Sequence, residues 1–347
     1  MTGPAETDTT DILRRLTRRT LDYDFSVWFW GDAIALDGLL DAADALDIDE
    51  PFEHAARFLT EWSHRPITWV DHLTPGRALL RVAARGDRSL IDAGLRLGNY
   101  LLNHGPRSAG APLYRPDIPQ YRHAVWVDSI YHVPTFLAEL GNATQDSTWH
   151  AAAINEWQAH SRLLGDDRQG PFLGHTYDTG QRTLHGYGWG RGVGWALYGM
   201  IETLSLVPEA TPGYSKARAE AIVLAEAVVG EQDPTGFWHT LIHDRESYLE
   251  SSTASFFYAA LALGTSTGIL PDRYEDAVER AWQATASRVD DAGEFWGVSA
   301  CTYAGQSDID DVTMYRTLPT EVNVWGQGSA LRAAALRLQH ERSMAAV

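Results

Sequence analysis

Apolar residues recur at helical spacing along most of the chain, and strand-like alternation is scarce. Six segments rich in aromatic and acidic residues, here called lead segments, each run into a stretch dense in Ala, Leu and Gly. The pattern predicts six inner helices that begin at the ends of these segments. The lead segments are VWFWGD (27–32), ITWVDHLTPG (67–76), AVWVDSIY (124–131), GWGRGVGW (188–195), SYLESSTAS (247–255) and EVNVWGQGS (321–329).

Five of these predicted helices are followed by a short polar turn and a more amphipathic helix, as expected of an outer layer. The outer helices are predicted over 52–63, 88–103, 147–163, 215–230 and 272–288, with 9–21 as the partner of the last inner helix. Such repetition is typical of repeat architectures, and an open solenoid would need polar caps at both ends. We therefore predict an all-α (α/α)6 barrel of six inner and six outer helices, with 1–347 as a single catalytic domain. Two helical subdomains are the alternative.

In a closed ring all six lead segments lie at the same end of the barrel. They carry most of the tryptophans and several carboxylates, so the ring would gather these side chains into one cavity. The function is therefore predicted to reside in a pocket. The carboxylates are Asp32, Asp71, Asp128, Glu250 and Glu321.

The fourth lead segment extends a run, HGYGWGRGVGW (185–195), with glycine at every second position. Glycine costs backbone entropy in a helix or a strand, so we interpret these glycines as points where the backbone passes close to another group. Trp189, Arg191 and Trp195 project between them. Aromatic faces and a guanidinium suit a hydroxyl-rich anionic ligand such as a uronic sugar. The alternative is an aromatic loop packed on the core.

Asp71 and Asp128 share the local sequence Trp-Val-Asp at the predicted start of an inner helix. Partial burial there would raise the pKa of each carboxyl toward the range useful for acid–base catalysis. The alternative is a plain N-cap, for which Asp is favoured regardless of chemistry. Two carboxylates in an aromatic cleft suggest glycosidic chemistry, either retaining, inverting or by hydration of a double bond. The predicted substrate-binding residues are His72, His132, His175, Trp189, Arg191, Trp195 and Trp30.

Composition excludes several other classes of protein. A net charge of −18 argues against binding nucleic acid or an anionic membrane surface, although a local basic cluster can still bind an anion. No His or Cys pair has metal-site spacing, and the glycines have neither Walker nor Rossmann spacing, so no metal and no cofactor is predicted. The single cysteine, Cys301, excludes an intrachain disulfide. The sequence has no signal-peptide pattern and no long apolar run, so we expect a cytoplasmic protein. Its expected partner is a small-molecule carbohydrate substrate. The sequence does not predict its oligomeric state.

Four segments resemble those of the unsaturated uronyl hydrolases, glycoside hydrolase families 88 and 105. WVDSIYHVPTFLAELG (126–141) and GWGRGVGWAL (188–197) resemble their Trp-Val-Asp and Trp-Gly-Arg-Gly-Asn-Gly-Trp motifs. VDHLTPGRALLRVAARGDRSLIDAG (70–94) and FWHTLIHDRESYLESSTASFFYAALALG (237–264) are similar to two further segments. Together they extend over most of 25–340 in the family's order. The unsaturated rhamnogalacturonyl hydrolases of family 105 are the more similar of the two.

This resemblance implies an (α/α)6 barrel that acts on the 4,5-unsaturated uronic acid left at a non-reducing end by polysaccharide lyases. Such enzymes hydrate the vinyl ether, and the hemiketal that forms opens to release the next sugar. By the resemblance, Asp128 is the general acid/base and Asp71 is the second essential carboxylate. His175 is the substrate-binding histidine of the third hairpin. Arg191 and Trp195 match motif positions that line the uronate subsite.

Two residues depart from the family pattern. Val193 stands where the motif has Asn, and His132 stands where Met is usual, on the same helix face as Asp128. The segment 301–329 also differs. These departures bear on the substrate more than on the reaction. The alternatives are another (α/α)6 enzyme, such as an ordinary glycosidase or a biosynthetic hydratase or lyase, and a non-catalytic sugar-binding protein.

Overall fold

The computed structural model describes residues 8–25, 30–302, 305 and 309–345, except for the side chain of His72. Residues 27–29 of the first lead segment lie outside the described residues. Within these ranges the α-helices are α1 Thr9–Leu21, α2 Trp30–Leu46, α3 Glu50–Trp62, α4 Gly76–Arg85, α5 Leu90–Asn99, α6 Ser129–Thr144, α7 Ser147–Leu164, α8 Gly190–Leu206, α9 Tyr214–Gly230, α10 Ser251–Ser266, α11 Glu275–Ala286, α12 Asp311–Thr317 and α13 Val324–Ala345.

Helices α2, α4, α6, α8, α10 and α13 form the inner ring. Each packs against the next, and α13 closes the ring by packing along α2. The outer helices α3, α5, α7, α9 and α11 follow the first five inner ones, and α1 packs on α13 and α2 as the sixth. The predicted (α/α)6 barrel is therefore confirmed, including the role of the N-terminal helix. A continuous hydrophobic core extends from Ile12 to Leu338.

Several boundaries differ from the prediction. The helix predicted over 88–103 is α5 followed by a π-helix at Tyr100–His104, and the one predicted over 272–288 is a 3-10 turn at Asp272–Tyr274 followed by α11. Helix α12 was not predicted, because its seven residues are too short to show helical periodicity. No helix in the described part of the chain is long and apolar enough to cross a membrane.

The glycines of the fourth lead segment approach other parts of the protein. Gly190, Gly192 and Gly194 belong to the first turns of α8. A Cβ at Gly194 would lie 2.7 Å from Cβ of Phe256, and one at Gly190 would lie 2.6 Å from Thr253 Cγ2, so both let α8 pack closely on α10. The predicted close approach of the backbone is therefore confirmed for the helical part of the segment, where the neighbouring group is another helix of the protein.

Short antiparallel strands lie at the end of the barrel at which the inner helices begin. They pair as β1–β2, β4–β5, β8–β9 and β10–β11, and as the three-stranded sheet β3–β6–β7. The strands are β1 Arg107–Ser108, β2 Ala111–Pro112, β3 Ala124–Trp126, β4 Gly165–Asp166, β5 Gly170–Leu173, β6 Thr176–Asp178, β7 Thr183–His185, β8 Trp238–His239, β9 Leu249–Glu250, β10 Val298–Ser299 and β11 Thr320–Glu321.

The three-stranded sheet has a direct consequence for the site. Trp126 on β3 pairs with Thr176 on β6. One residue further along, the amide of Val127 donates to the carbonyl of His175 over 2.9 Å. The backbone pairing thus holds Asp128, at the start of α6, beside His175, which comes from the connection between β5 and β6.

Candidate active site

A cavity of about 210 Å³ opens where the inner helices begin. Four lead segments contribute to its wall, so the predicted convergence of these segments is confirmed for the first four. A depression of about 290 Å³ between α3 and α5, around Trp62 and Arg96, has no carboxylate among its described lining residues. The cavity that contains both Trp-Val-Asp carboxylates is lined by Trp30, Asp71, Tyr114, Arg115, Ile118, Tyr121, Trp126, Asp128, His175, Trp189, Cys301 and Thr302.

The Asp128 carboxyl is buried and directed into this cavity. Residue 128 precedes the first residue of α6, but its side chain makes no capping hydrogen bond to the helix. Oδ2 has no hydrogen-bond partner within the described structure. Burial raises the pKa of Asp128 to about 6, and the nearby Arg191 offsets only part of this rise. The N-cap interpretation of Asp128 is therefore wrong, and its carboxyl can exchange a proton near neutral pH.

Asp71 lies across the cavity, in the 3-10 turn Val70–Leu73 that precedes α4. Burial raises the pKa of Asp71 to about 6 as well, against the opposing effect of Arg115. Arg115 Nη1 lies 3.6 Å from Asp71 Oδ2. Asp71 Oδ1 has no hydrogen-bond partner within the described structure. The two predicted catalytic carboxylates thus line the same cavity, and burial raises the pKa of both.

His175 is buried between the two sides of the site. Its Nε2 lies 3.8 Å from Asp128 Oδ2, and its Nδ1 lies 2.6 Å from the hydroxyl of Tyr315 on α12. Burial, assisted by Arg191, lowers the pKa of His175 well below its usual range, so the imidazole is neutral. When the Tyr315 hydroxyl donates to Nδ1, the ring proton resides on Nε2 and faces Asp128.

Aromatic rings build most of the remaining wall. Trp189 lies against the imidazole of His175, with ring centroids 4.0 Å apart, and Trp126 meets the same imidazole edge-on at 5.2 Å. Trp30 also lines the cavity and packs on Trp325, with ring centroids 5.1 Å apart. The predicted residues Trp30, Trp189 and His175 therefore line the cavity together. Such rings offer flat surfaces on which the apolar faces of sugars can stack.

Other predicted binding residues lie behind the cavity wall. Trp195 is fully buried and packs against Phe256, with ring centroids 4.4 Å apart. His132 is buried beside Trp195, neither ring nitrogen has a described hydrogen-bond partner, and burial lowers its pKa to about 3. Val193 lies in the hydrophobic core. The side chain of His72 lies outside the described residues. Trp195, His132 and Val193 are thus not among the described residues that line the cavity.

Arg191 is also behind the wall, with 1 % of its surface exposed. Its Nη1 donates to the carbonyl and hydroxyl oxygens of Ser299, over 2.7 and 2.5 Å, and its Nη2 donates to the carbonyl of Ala300 over 3.0 Å. The guanidinium also lies over the Trp189 ring. Arg191 therefore holds the segment that brings Cys301 and Thr302 to the cavity, and it is not itself among the described lining residues.

Three other lead-segment carboxylates do not line the cavity. Glu250 caps α10, because its Oε2 accepts from the amide of Thr253 over 3.0 Å. Asp32 is buried in the first turn of α2, and Glu321 is exposed on β11. The described residues contain no cluster of three or more His, Cys, Asp or Glu side chains that could hold a metal ion.

Sequence reasoning missed several residues of the site. The most important is Arg115, which together with Tyr114 and Tyr121 comes from the connection between α5 and β3. The available signal was composition, since this connection, APLYRPDIPQYRHAVW (111–126), combines proline with aromatic and basic residues. Tyr315 lies 140 residues from His175 in the sequence, and no local pattern links the two.

The sequence profile of Glycosyl Hydrolase Family 88 matches residues 10–340. The chain belongs to this family. It is therefore a glycoside hydrolase, and the resemblance seen in its motifs is confirmed. The unsaturated rhamnogalacturonyl hydrolase YesR of Bacillus subtilis is 25% identical over 334 residues, which cover 94% of each chain.

Solved structures of family members show the same fold. A possible member of the GH105 family from Klebsiella pneumoniae superposes with a TM-score of 0.87 at 19% identity, over 98% of this chain and 95% of that one. The unsaturated glucuronyl hydrolase of Bacillus sp. GL1 superposes with a TM-score of 0.72 at 17% identity, over 97% of this chain and 96% of that one. At these identities the similarity establishes the barrel and not the roles of the cavity residues.

Proposed function

We propose that this family member hydrolyses oligosaccharides that carry a 4,5-unsaturated uronic acid at the non-reducing end. The relatives named above act on unsaturated rhamnogalacturonyl and glucuronyl saccharides. The observation that carries the proposal is the buried Asp128 carboxyl, with a pKa near 6, a free Oδ2 and a neutral histidine 3.8 Å away. This arrangement suits a group that delivers a proton to carbon and then recovers one from water.

In the proposed reaction, protonated Asp128 transfers its proton to C4 of the vinyl ether. Positive charge then develops at C5 and the ring oxygen, and a water molecule adds to C5. The Asp128 carboxylate accepts the proton that this water loses, which restores the acid. The product is a hemiketal that opens and releases the next sugar, so a single acid/base residue suffices. Neutral His175 supports the reaction by keeping its Nε2 proton toward Asp128.

Asp71 and the aromatic wall have complementary roles in this proposal. We place the Asp71 carboxylate as a hydrogen-bond acceptor for sugar hydroxyls, because Oδ1 has no partner within the described structure and burial strengthens such bonds. Trp30 and Trp189 provide stacking surfaces. A role of His72 in binding stays a prediction from the sequence. So do the cytoplasmic location and the single catalytic domain over 1–347, although one continuous core supports the latter.

A panel of unsaturated di- and oligosaccharides, prepared with pectin and glycosaminoglycan lyases, tests the substrate. Turnover removes the conjugated double bond, so the ultraviolet absorbance of the unsaturated uronate should disappear on incubation with the protein. Unchanged absorbance for every member of the panel would refute the proposal. Release of sugar from saturated glycosides alone would instead indicate an ordinary glycosidase.

The variant Asp128→Asn tests the acid/base role. We expect kcat to fall by about 100- to 10,000-fold, the usual contribution of a positioned acid or base. In the wild type, kcat should decrease as the pH rises through about 6, because the proton to be delivered is then lost. Circular dichroism should show unchanged helix content. The matched control is Asp167→Asn, which changes an exposed carboxylate in the turn between β4 and β5 and should leave kcat unchanged.

A further inference from the structure

Arg115 is the single Lys or Arg side chain among the described residues that line the cavity. We propose that Arg115, and not the motif arginine Arg191, binds the carboxylate of the substrate. The inference rests on the proposed function, and it names a specificity-determining residue that the sequence motifs do not contain. Arg115 belongs to the connection between α5 and β3, at the rim of the cavity.

The guanidinium of Arg115 is oriented by a neighbouring carboxylate. Its Nε donates to Asp117 Oδ1 over 2.9 Å, and its Nη2 donates to Asp117 Oδ2 over 2.8 Å. This two-pronged bond occupies one edge of the guanidinium. Three further N–H groups remain, two of them on the Nη1–Nη2 edge, and Asp71 Oδ2 lies 3.6 Å from Nη1. A second carboxylate can therefore bind this edge while Asp117 keeps the plane fixed.

Exposure separates Arg115 from Arg191. The side chain of Arg115 is 35 % exposed, so an incoming anion can reach it without displacing protein. Arg191 is enclosed, with Nη1 and Nη2 engaged by Ser299 and Ala300, Nε buried, and its guanidinium between the rings of Trp189 and Trp325. To bind a substrate carboxylate through Nη1 and Nη2, Arg191 would have to break its bonds to the segment that carries Cys301 and Thr302 to the cavity wall, and Arg191 is not among the described lining residues.

Charge balance gives a second reason for this assignment. Above pH 6 both Asp71 and Asp128 become ionised, and they then repel an anionic sugar. His175 is neutral and cannot compensate for them. Arg115 is thus the described lining residue whose positive charge can offset this repulsion. Uronate binding at the rim would also leave the deeper part of the cavity to the double bond and Asp128.

The variant Arg115→Met removes the charge but keeps the length of the side chain. For an unsaturated uronyl disaccharide we expect KM to rise by about 10- to 100-fold, as for loss of charged hydrogen bonds. For the uncharged methyl ester of the same disaccharide, KM should stay within about threefold of the wild type. The matched control Arg122→Met removes an exposed charge seven residues away, outside the cavity, and should change neither KM.

Asp117→Asn provides an intermediate variant. It leaves the charge of Arg115 in place but weakens the bond that orients it, so the KM of the acid should rise less than in Arg115→Met. Equal KM increases for the acid and the ester in Arg115→Met would show that Arg115 acts on the site only structurally. An unchanged preference for the acid over the ester would show that another residue binds the carboxylate. Either result overturns the inference.

Calorimetric binding to the Asp128→Asn protein separates this inference from the proposed reaction. The same acid and ester are titrated into Asp128→Asn and into the double variant that also carries Arg115→Met. If the wild type hydrolyses no unsaturated saccharide but Arg115→Met abolishes the preference for the acid, the reaction is wrong and the carboxylate site stands. If turnover occurs and the preference survives the loss of Arg115, the reaction stands and this assignment fails.

Discussion

Two groups of carboxylates lie in the interior of the same barrel, and the pKa shifts of their aspartates have opposite signs. The cavity pair, Asp71 and Asp128, lies where the inner helices begin. A second group, here called the ion cluster, lies deeper along the inner helices. Burial acts on both groups in the same sense, because removal from water disfavours a charged carboxylate. The ion cluster comprises Asp37, Asp41, Glu202, Arg77, Arg81 and Arg332.

In the ion cluster, arginines outweigh the effect of burial. Arg332 contacts Asp41 over 2.6 Å and Glu202 over 2.7 Å, and Arg81 contacts Asp41 over 2.7 Å. Burial alone would raise the pKa of Asp41, but Arg332 and Arg81 lower it to about 2. The pKa of Asp37 is also lowered, chiefly by Arg77 against the effect of burial. Asp37 and Asp41 therefore stay ionised at neutral pH.

In the cavity pair, burial dominates instead. Among the described residues, Asp128 makes no ion pair with an arginine, and Arg115, the arginine beside Asp71, is 3.6 Å away and shared with Asp117. Both pKa values consequently rise to about 6. Within one barrel, therefore, the number and distance of counter-charges decide whether a buried carboxylate stabilises the structure or remains available for proton transfer.

The largest expected effect comes from breaking the ion cluster. Arg332→Met leaves Asp41 and Glu202 buried without their main partner, and it removes the donor to the Tyr131 hydroxyl. We expect the free energy of unfolding to fall by about 3 to 5 kcal/mol, the usual cost of an uncompensated buried charge. Urea denaturation followed by circular dichroism measures this change.

A matched control lies on the same helix. Arg337 pairs with Glu279 and Glu341 near the surface of α13. Arg337→Met should cost about 1 kcal/mol or less, as expected of exposed ion pairs. If Arg332→Met were no more destabilising than Arg337→Met, the ion cluster would not be the stabilising counterpart of the cavity pair.

The second prediction concerns stability at the cavity pair. The folded-state pKa of Asp128 is about 6, whereas the ordinary value is 3.8, so its contribution to stability is present at low pH and is lost as the pH rises toward 6. Since one pKa unit corresponds to about 1.4 kcal/mol, Asp128→Asn should raise the free energy of unfolding by up to about 3 kcal/mol at pH 8. Near pH 4 the variant and the wild type should be equally stable.

In the ion cluster, replacing an aspartate by asparagine should change the free energy of unfolding in the opposite direction, because arginines lower the pKa there. Because its folded-state pKa is lowered to about 2, Asp41 contributes stability at neutral pH that is lost as the pH falls below about 4. Asp41→Asn should therefore destabilise the protein at pH 8, where Asp128→Asn stabilises it. Asp167→Asn, in an exposed turn, should have little effect at either pH. If Asp128→Asn lowered the stability at pH 8, the contrast between the two groups would be wrong.

Local patterns were sufficient to predict much of this molecule. Helical periodicity predicted the inner and outer layers, because each helix buries one face whatever its neighbours are. The shared Trp-Val-Asp sequence identified Asp71 and Asp128, and ring closure predicted that they meet. The glycines of 186–194 correctly indicated close backbone approach, but their partners, such as Phe256 and Thr253, come from a helix far along the chain.

The direction in which a side chain points was not predictable in the same way. Arg191 follows Trp189 in a motif that suggests a ligand site, yet its acceptors Ser299 and Ala300 are more than 100 residues away in the sequence. Arg115 lies in an irregular connection, where no periodicity indicates which face is inside. In the sequence Asp37 and Asp41 look like ordinary positions of an inner helix, and only the packing of α4 and α13 against α2 reveals their arginines.

The smallest expected effect concerns the partner of His175. Tyr315→Phe removes the hydroxyl that lies 2.6 Å from His175 Nδ1, which should cost about 1 kcal/mol of stability. We also expect the ring proton to distribute between both nitrogens, which nitrogen NMR shifts of His175 would report, and kcat to fall by about threefold to tenfold. Tyr258→Phe removes another buried hydroxyl, beside Arg337, and should lower stability without changing the NMR shifts or kcat. If Tyr315→Phe behaved like Tyr258→Phe, the neutral histidine would need no orienting partner.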